Sequence, residues 1–274
     1  MSWRGENKPT VSSLVPFDNA MIHYPDYISA IRFRFLQPGF RIPIPEDRYE
    51  RRLETILRRG RIGWLERLGT WFEFINTVLP TDRGDALNKL KMLCRMPRMS
   101  SLAIGALIAE AVRCMPEEEA FVNIGVWQGF TLLSGMLTNP CKKCIGVDNF
   151  SEFGGPRDAF MNRFLEYRTE IHHFYDMDYE TYFSEIHQGF IGFYIYDASH
   201  AYSDQLRGLR VAEPFFSETC IVMVDDTNWQ EPRQATLDFI AGSRSRYKIL
   251  LDVKTRHNCH PTFWNGLIIF QRVA

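Results

Sequence analysis

Residues 121–148 constrain this chain more than any other stretch. An apolar run, Phe121, Val122 and Ile124, enters a turn carrying Gly125 and Gly129. A short helical segment follows, and a second apolar run, Cys144 to Val147, ends on Asp148. Glycines after a first strand let the backbone approach a ligand closely, and an acidic residue about 20 positions on can bind a ribose diol. The pattern points to a nucleotide-like cofactor bound at the carboxyl ends of parallel strands.

The texture around this unit extends the same reading. Short apolar strands are expected at 120–124, 143–147, 170–174, 191–196, 219–224, 246–252 and 265–272. Amphipathic helices are expected between them at 129–137, 157–167, 179–186, 203–216 and 231–241. Alternation with strands apolar on both faces predicts an α/β fold with a Rossmann-like, mostly parallel sheet of seven strands. No helix separates the last two strands, so they are expected to close one edge as an antiparallel hairpin.

The chain before residue 100 reads differently. Residues 1–45 carry Pro9, Pro16, Pro25, Pro38, Pro43 and Pro45 among many aromatic residues, Phe33 included, which rules out a long helix. Helices are expected over Glu46–Leu57, Trp64–Val78 and Asp85–Leu93. A fourth, capped by Ser100 or Ser101, is expected to run to Cys114. Residues 1–99 are therefore read as an arm and helical extension, serving as a lid or an oligomer contact, and 100–274 as the main domain.

Composition narrows the classes. A net charge of −1 gives no global reason to expect nucleic acid, and the arginines from Arg48 to Arg61 read as a solvated helix face. No run reaches the roughly 18 apolar residues of a membrane span, and the N-terminus lacks a leader pattern, so a cytoplasmic protein is expected. The six cysteines form no disulfide framework. Cys141 and Cys144 have half of a zinc-ribbon spacing without a second pair, and read better as the approach to a buried strand.

Acidic residues gather at the expected strand ends. The strand over 191–196 leads into Asp197, Ala198, Ser199 and His200, and the strand over 219–224 into Asp225 and Asp226. Three close carboxylates raise one another's pKa unless a cation is present. Oxygen ligands alone favour a hard divalent ion, Mg²⁺ first. The bland alternative gives Asp226 to a helix cap and Asp197 to a loop.

With these pieces assembled, residues 100–274 resemble a class I S-adenosylmethionine-dependent methyltransferase. Within that class they are similar to small-molecule O-methyltransferases of the macrocin and novobiocin sugar type. The resemblance rests on Val122–Thr131, Ile145–Asp148, Tyr196–Tyr202 and Ile221–Asp226 in the expected order. It implies that Asn123, Gly125, Gly129 and Thr131 surround the methionine part of the cofactor. It also implies that Asp148 holds the ribose and that Asp176 or Asp178 lies near the adenine. Asp197 would touch both cofactor and metal, with Asp225 and Asp226 as the further metal ligands; Asp197 and Asp225 are 28 residues apart, as in metal-dependent relatives. Two departures stand out: Asn123 replaces a usual acid, and Ala198 a usual glycine.

The implied activity is methyl transfer to a hydroxyl of a sugar, polyol or catechol-like natural product, with metal assistance and His200 and Asp197 as catalytic residues. A metal-independent N-methyltransferase and a non-catalytic binding protein on the same scaffold are the alternatives. The loop 256–260 offers His257, Cys259 and His260 as a second metal set, or as a polar substrate-facing loop. Trp229 and Trp264 are candidate walls for the acceptor. A homodimer is expected from the aromatic arm and the apolar helix ending at Cys114.

Overall fold

The computed structural model describes residues 31–34, 64–256 and 258–273. The expected helix over Glu46–Leu57, most of the proline-rich arm and His257 lie outside the described residues.

The described part of the extension packs onto the main domain. Strand β1 (Arg32–Phe33) pairs antiparallel with β2 (Thr77–Val78), directly after helix α1 (Trp64–Asn76). Phe33 is buried and meets the Phe263 ring edge-on at 5.8 Å. Helix α2 (Gly84–Leu93) leads to α3 (Leu102–Cys114), whose N-terminus is capped by Ser101, with its Oγ accepting from the Ile104 N–H. Glu73 of α1 accepts from the Leu102 N–H at 2.7 Å through one oxygen and pairs with Arg98 at 3.0 Å through the other. Both partners are buried, so removing either one alone costs about 3–5 kcal/mol.

The main sheet follows the expected alternation. Its strands are β3 (Ala120–Ile124), β4 (Lys143–Asp148), β5 (His172–Asp176), β6 (Ile191–Tyr196), β7 (Phe216–Val224), β8 (Arg246–Val253) and β9 (Leu267–Val273). The order is β5-β4-β3-β6-β7-β9-β8, parallel through β7 and antiparallel at β9 and β8. The hairpin stands where it was expected, with β9 inserted between β7 and the edge strand β8.

Helices α4 (Phe130–Thr138), α5 (Arg157–Tyr167), α6 (Tyr179–Thr181), α7 (Tyr202–Ala212) and α8 (Gln230–Gly242) cover the sheet. Alternating side chains of the central strands feed two cores. Phe121, Phe193 and Ile195 join the core that includes α2, α3 and α4; Val122, Tyr194 and Tyr196 join the other, beneath α7 and α8. Small corrections have local causes. The helix expected over 203–216 stops at Ala212, because Pro214 cannot continue it and a 3₁₀ turn follows. Strand β5 runs two residues later than expected, as its register against β4 carries the pairing to Asp176 opposite Asp148.

This fold positions a site through backbone close to backbone. Gly125 has φ +78°, and a Cβ there would lie 1.8 Å from the Asp197 carbonyl oxygen. Only glycine lets the turn after β3 pass so near the end of β6.

Candidate functional site

A cavity of about 410 Å³ opens at the carboxyl ends of β3, β4, β6 and β7. That is the crevice where open α/β sheets bind ligands, and the volume falls within the range of small-molecule sites.

Asp197 continues β6, its N–H donating to the Ile124 carbonyl at 2.9 Å, and Asp226 lies just beyond β7. Ligand atoms of Asp197, His200 and Asp226 all lie within 4.8 Å of one another, the one such cluster among the described residues. His200 Nε2 is 2.5 Å from one Asp226 oxygen. The other Asp226 oxygen accepts from Asn265 Nδ2 at 2.6 Å, and the Asn265 amide oxygen accepts from the Cys259 N–H at 3.0 Å. That second bond fixes which end of the amide faces Asp226.

Electrostatics match this crowding. Burial, then the charge of Asp226, pushes the Asp197 carboxyl up to about 7. Burial, with Asp226 and Asp197 adding to it, carries Asp225 far above the carboxylate range. For His200 burial pulls downward, but the hydrogen bond to Asp226 and the surrounding negative charge outweigh it, and its pKa ends raised.

The expected metal set changes in membership. Asp225 is buried and stands outside the cluster and off the cavity wall, and His200 takes the third place. Consecutive residues at a strand end diverge, and the left-handed backbone of Asp226, φ 56°, turns its carboxylate toward His200. The groups that could hold an ion here are two carboxylates and an imidazole, not oxygens alone. An imidazole shifts the fit from Mg²⁺ toward Mn²⁺, Fe²⁺ or Zn²⁺.

On the other side of the cavity Asp148 organises the glycine turn. One of its oxygens accepts from the Val126 and Trp127 N–H groups at 2.8 and 2.9 Å, and the other from Phe150 at 2.7 Å. The oxygen that accepts from Phe150 keeps one lone pair free and can still accept from a ribose hydroxyl. Trp127, at φ 45°, donates from its indole to the Phe153 carbonyl at 3.0 Å and joins the turn to the loop after β4.

The remaining expected residues divide. Gly125 and Asp178 line the cavity; Asn123, Gly129, Thr131 and Asp176 do not. Asn123 is wholly buried in β3, with its amide nitrogen donating to the Gly125 carbonyl at 3.0 Å. Gly129 starts α4 at φ +98° against the Phe160 ring, and Thr131 is buried in the first turn of that helix. Asp176 is drawn outward into an ion pair with Arg157, whereas Asp178 caps α6 by accepting from Glu180 N–H. Trp229 and Trp264 both line the cavity, and the Trp229 ring stands 5.1 Å from that of His200. His260, from the alternative metal set, points its Nδ1 at the Thr262 and Phe263 N–H groups. Cys144 is buried within β4 while Cys141 is exposed.

Asn265 and Trp127 were not singled out by sequence. The contact of Asn265 with Asp226 spans 39 positions, and no local pattern signals it.

Comparison with known proteins agrees with the fold. Residues 122–227 match the family model described as a methyltransferase domain. No curated protein matches the chain in sequence. In structure the chain is similar to a protein of Corynebacterium glutamicum, at 12% identity and TM-score 0.52, covering 77% of this chain and 98% of that one. It is also similar to the O-methyltransferase TomG of Streptomyces achromogenes, involved in tomaymycin synthesis and solved with S-adenosylmethionine. There the identity is 11% and the TM-score 0.49, over 84% of this chain and all of that one. Residues 122–227 thus match a methyltransferase domain, within a seven-stranded sheet that ends in an antiparallel hairpin.

Proposed function

We propose that this methyltransferase moves a methyl group from S-adenosylmethionine to a hydroxyl of a small molecule, with a divalent ion assisting. The observation that carries the reading is the meeting of Asp197, His200 and Asp226 in one cavity with Asp148 and the Gly125 turn. Asp148 holds the ribose, and Asp178 stands on the adenine side. The Gly125 turn and Asp197 lie beside the methionine part, and Asn123, Gly129 and Thr131 shape that turn from behind.

The protein's task is alignment and proton management. Donor and acceptor must meet in line, and holding them so supplies much of the acceleration. Trp229 and Trp264 form walls beside the cluster and limit the poses an acceptor can take. A divalent ion held by Asp197, His200 and Asp226 would lower the pKa of a coordinated hydroxyl. Asn265 keeps the Asp226 carboxylate turned toward the cluster.

A second reading has its own support. Without a metal, His200 is oriented by Asp226 as a base is oriented in a catalytic dyad, and it could deprotonate an oxygen or nitrogen acceptor directly. Titration of S-adenosylhomocysteine by calorimetry, with and without Mn²⁺ or Mg²⁺, tests the common ground. Micromolar binding supports both readings, and no binding in any condition refutes both. Activity that survives complete chelation selects the metal-free one.

A further inference from the structure

The loop between β8 and β9 sets two cavity residues side by side. Trp264 lines the wall, and Asn265 donates to Asp226 at 2.6 Å. A tight turn places them. His260 and Trp264 exchange backbone hydrogen bonds at 2.8 and 3.0 Å, and His260 Nδ1 accepts from the Thr262 N–H at 3.1 Å. Trp264 has left-handed backbone, φ 48°, which a bulky residue keeps only where its surroundings impose it.

Those surroundings include residues far away in the chain. Thr262, in the middle of the turn, is wholly buried. Its hydroxyl accepts from Asn76 Nδ2 at 2.7 Å, across 186 positions, and its carbonyl accepts from the Ser101 hydroxyl at 2.6 Å, across 161. The next residue, Phe263, is the one whose ring meets Phe33. The strand β1, the end of α1 and the cap of α3 thus grip two consecutive residues of the turn.

The gripping elements are themselves fixed. Asn76 and Ser101 are fully buried, and the Asn76 carbonyl accepts from the Arg34 N–H at 2.9 Å. The buried Glu73 joins α1 to Arg98 and to the start of α3. Met99, from the same segment, reaches the cavity wall directly. The other side of the cavity is built separately. There the N–H donors to Asp148 come from the glycine turn and the loop after β4.

We infer that Asn76 and Ser101 are positioning residues. Through Thr262 they fix the turn that places Trp264 and Asn265, and so set the direction of the Asp226 carboxylate in the cluster. The described segment before α3 is then a brace for the side of the cavity that holds the cluster, whereas the cofactor side stands on Asp148. What the two sides bind rests on the methyltransferase reading; the brace itself rests on geometry.

Thr262→Val removes the acceptor of the Asn76 amide at nearly the same shape, and Thr262→Ser keeps it. Three quantities test the inference in each variant. They are S-adenosylhomocysteine affinity by calorimetry, Mn²⁺ affinity by electron paramagnetic resonance, and the Asn265 side-chain amide resonance, assigned by its loss in Asn265→Ala. Thr262→Val is expected to leave S-adenosylhomocysteine binding unchanged and to weaken Mn²⁺ by about tenfold, the scale of partners that orient a metal ligand. It should also shift the Asn265 resonance and speed its exchange with water. Thr262→Ser is expected to restore all three to the parent values. An unmoved Asn265 resonance, unchanged Mn²⁺ affinity, an equal loss of both ligands, or a serine variant no better than the valine one overturns the inference. A parent protein that binds no S-adenosylhomocysteine removes the methyltransferase reading instead, and one that binds it without Mn²⁺ removes the ion. In either case the Asn265 resonance alone decides the brace.

Discussion

The two ends of the sheet differ in how their polar groups are met. At the amino ends several of them have a protein partner. Lys142 donates to the Met115 carbonyl, Arg272 to that of Phe216 at 2.7 Å, and Tyr182 shares a 2.7 Å hydrogen bond with His187. At the carboxyl ends acids crowd one another around a cavity. The backbone differs in the same way. The non-glycine residues with positive φ among those described are Trp127, Phe150, Phe153, Asp226, Cys259 and Trp264. Every one sits in a loop at the carboxyl ends. Left-handed backbone costs roughly 1–3 kcal/mol per bulky residue and persists where the surroundings impose it. One end of the sheet is built to hold, and the other is held out of its comfortable state so that it can react.

Three substitutions would break or sharpen that contrast. The largest effect is expected from Asp197→Asn. In the folded protein this carboxyl is raised to about 7 from an ordinary 3.8, so the stability tied to its protonated form is full below 3.8 and lost as pH rises toward 7. At pH 8, in chelator, the asparagine variant should therefore melt above the parent, while methyl transfer falls by about a thousandfold or more. A variant that melts lower would show Asp197 to be structural, and the contrast would fail.

Asp148→Ala comes next. It should weaken S-adenosylhomocysteine by about 10- to 100-fold, the range of one or two charge-assisted hydrogen bonds. It also frees three backbone N–H groups, so loosened hydrogen exchange is expected at Val126, Trp127 and Phe150. Unchanged affinity would leave Asp148 only its role as a loop staple.

The smallest effect belongs to the quiet end. Burial lowers the His187 imidazole to about 4 from 6.5. Because the folded state favours the neutral ring, its contribution is fully present above pH 6.5 and is lost as pH falls toward 4, by at most about 3 kcal/mol. Denaturant titrations of His187→Phe should show a weaker acid dependence over that window and normal transfer at pH 7.5. A loss of activity without a loss of stability would place function at the wrong end.

Sequence made the quiet features of this molecule the most legible. Periodicity and the terminal hairpin are local or nearly so, and strands such as 120–124 and 191–196 fall where their apolar runs begin and end. The acids of the site were legible as types but not as partners. Asp225 and Asp226 are indistinguishable in a string; one positive φ and an asparagine 39 positions away decide that Asp226 meets His200. Asp176 and Asp178 posed the same ambiguity. An arginine on α5 draws the first outward, while the N-terminus of α6 leaves the second facing the cavity. The cavity's charge was hidden for a similar reason. The whole chain is almost neutral, and only the fold gathers seven of its acids around one cavity.

The order β7-β9-β8 has a consequence in time. The chain makes β8 before β9, yet β8 pairs only with β9, and β9 must enter between two strands already synthesised. Until it does, β7 presents an open edge of unpaired amides and carbonyls, the kind of template on which a second chain can assemble. Asn265 stands two residues before β9, so Asp226 gains its fixed orientation in the same closing event. A refolding chain would thus shed its tendency to aggregate and acquire its chemical competence at one step, and the regain of activity would trace the closing of that edge.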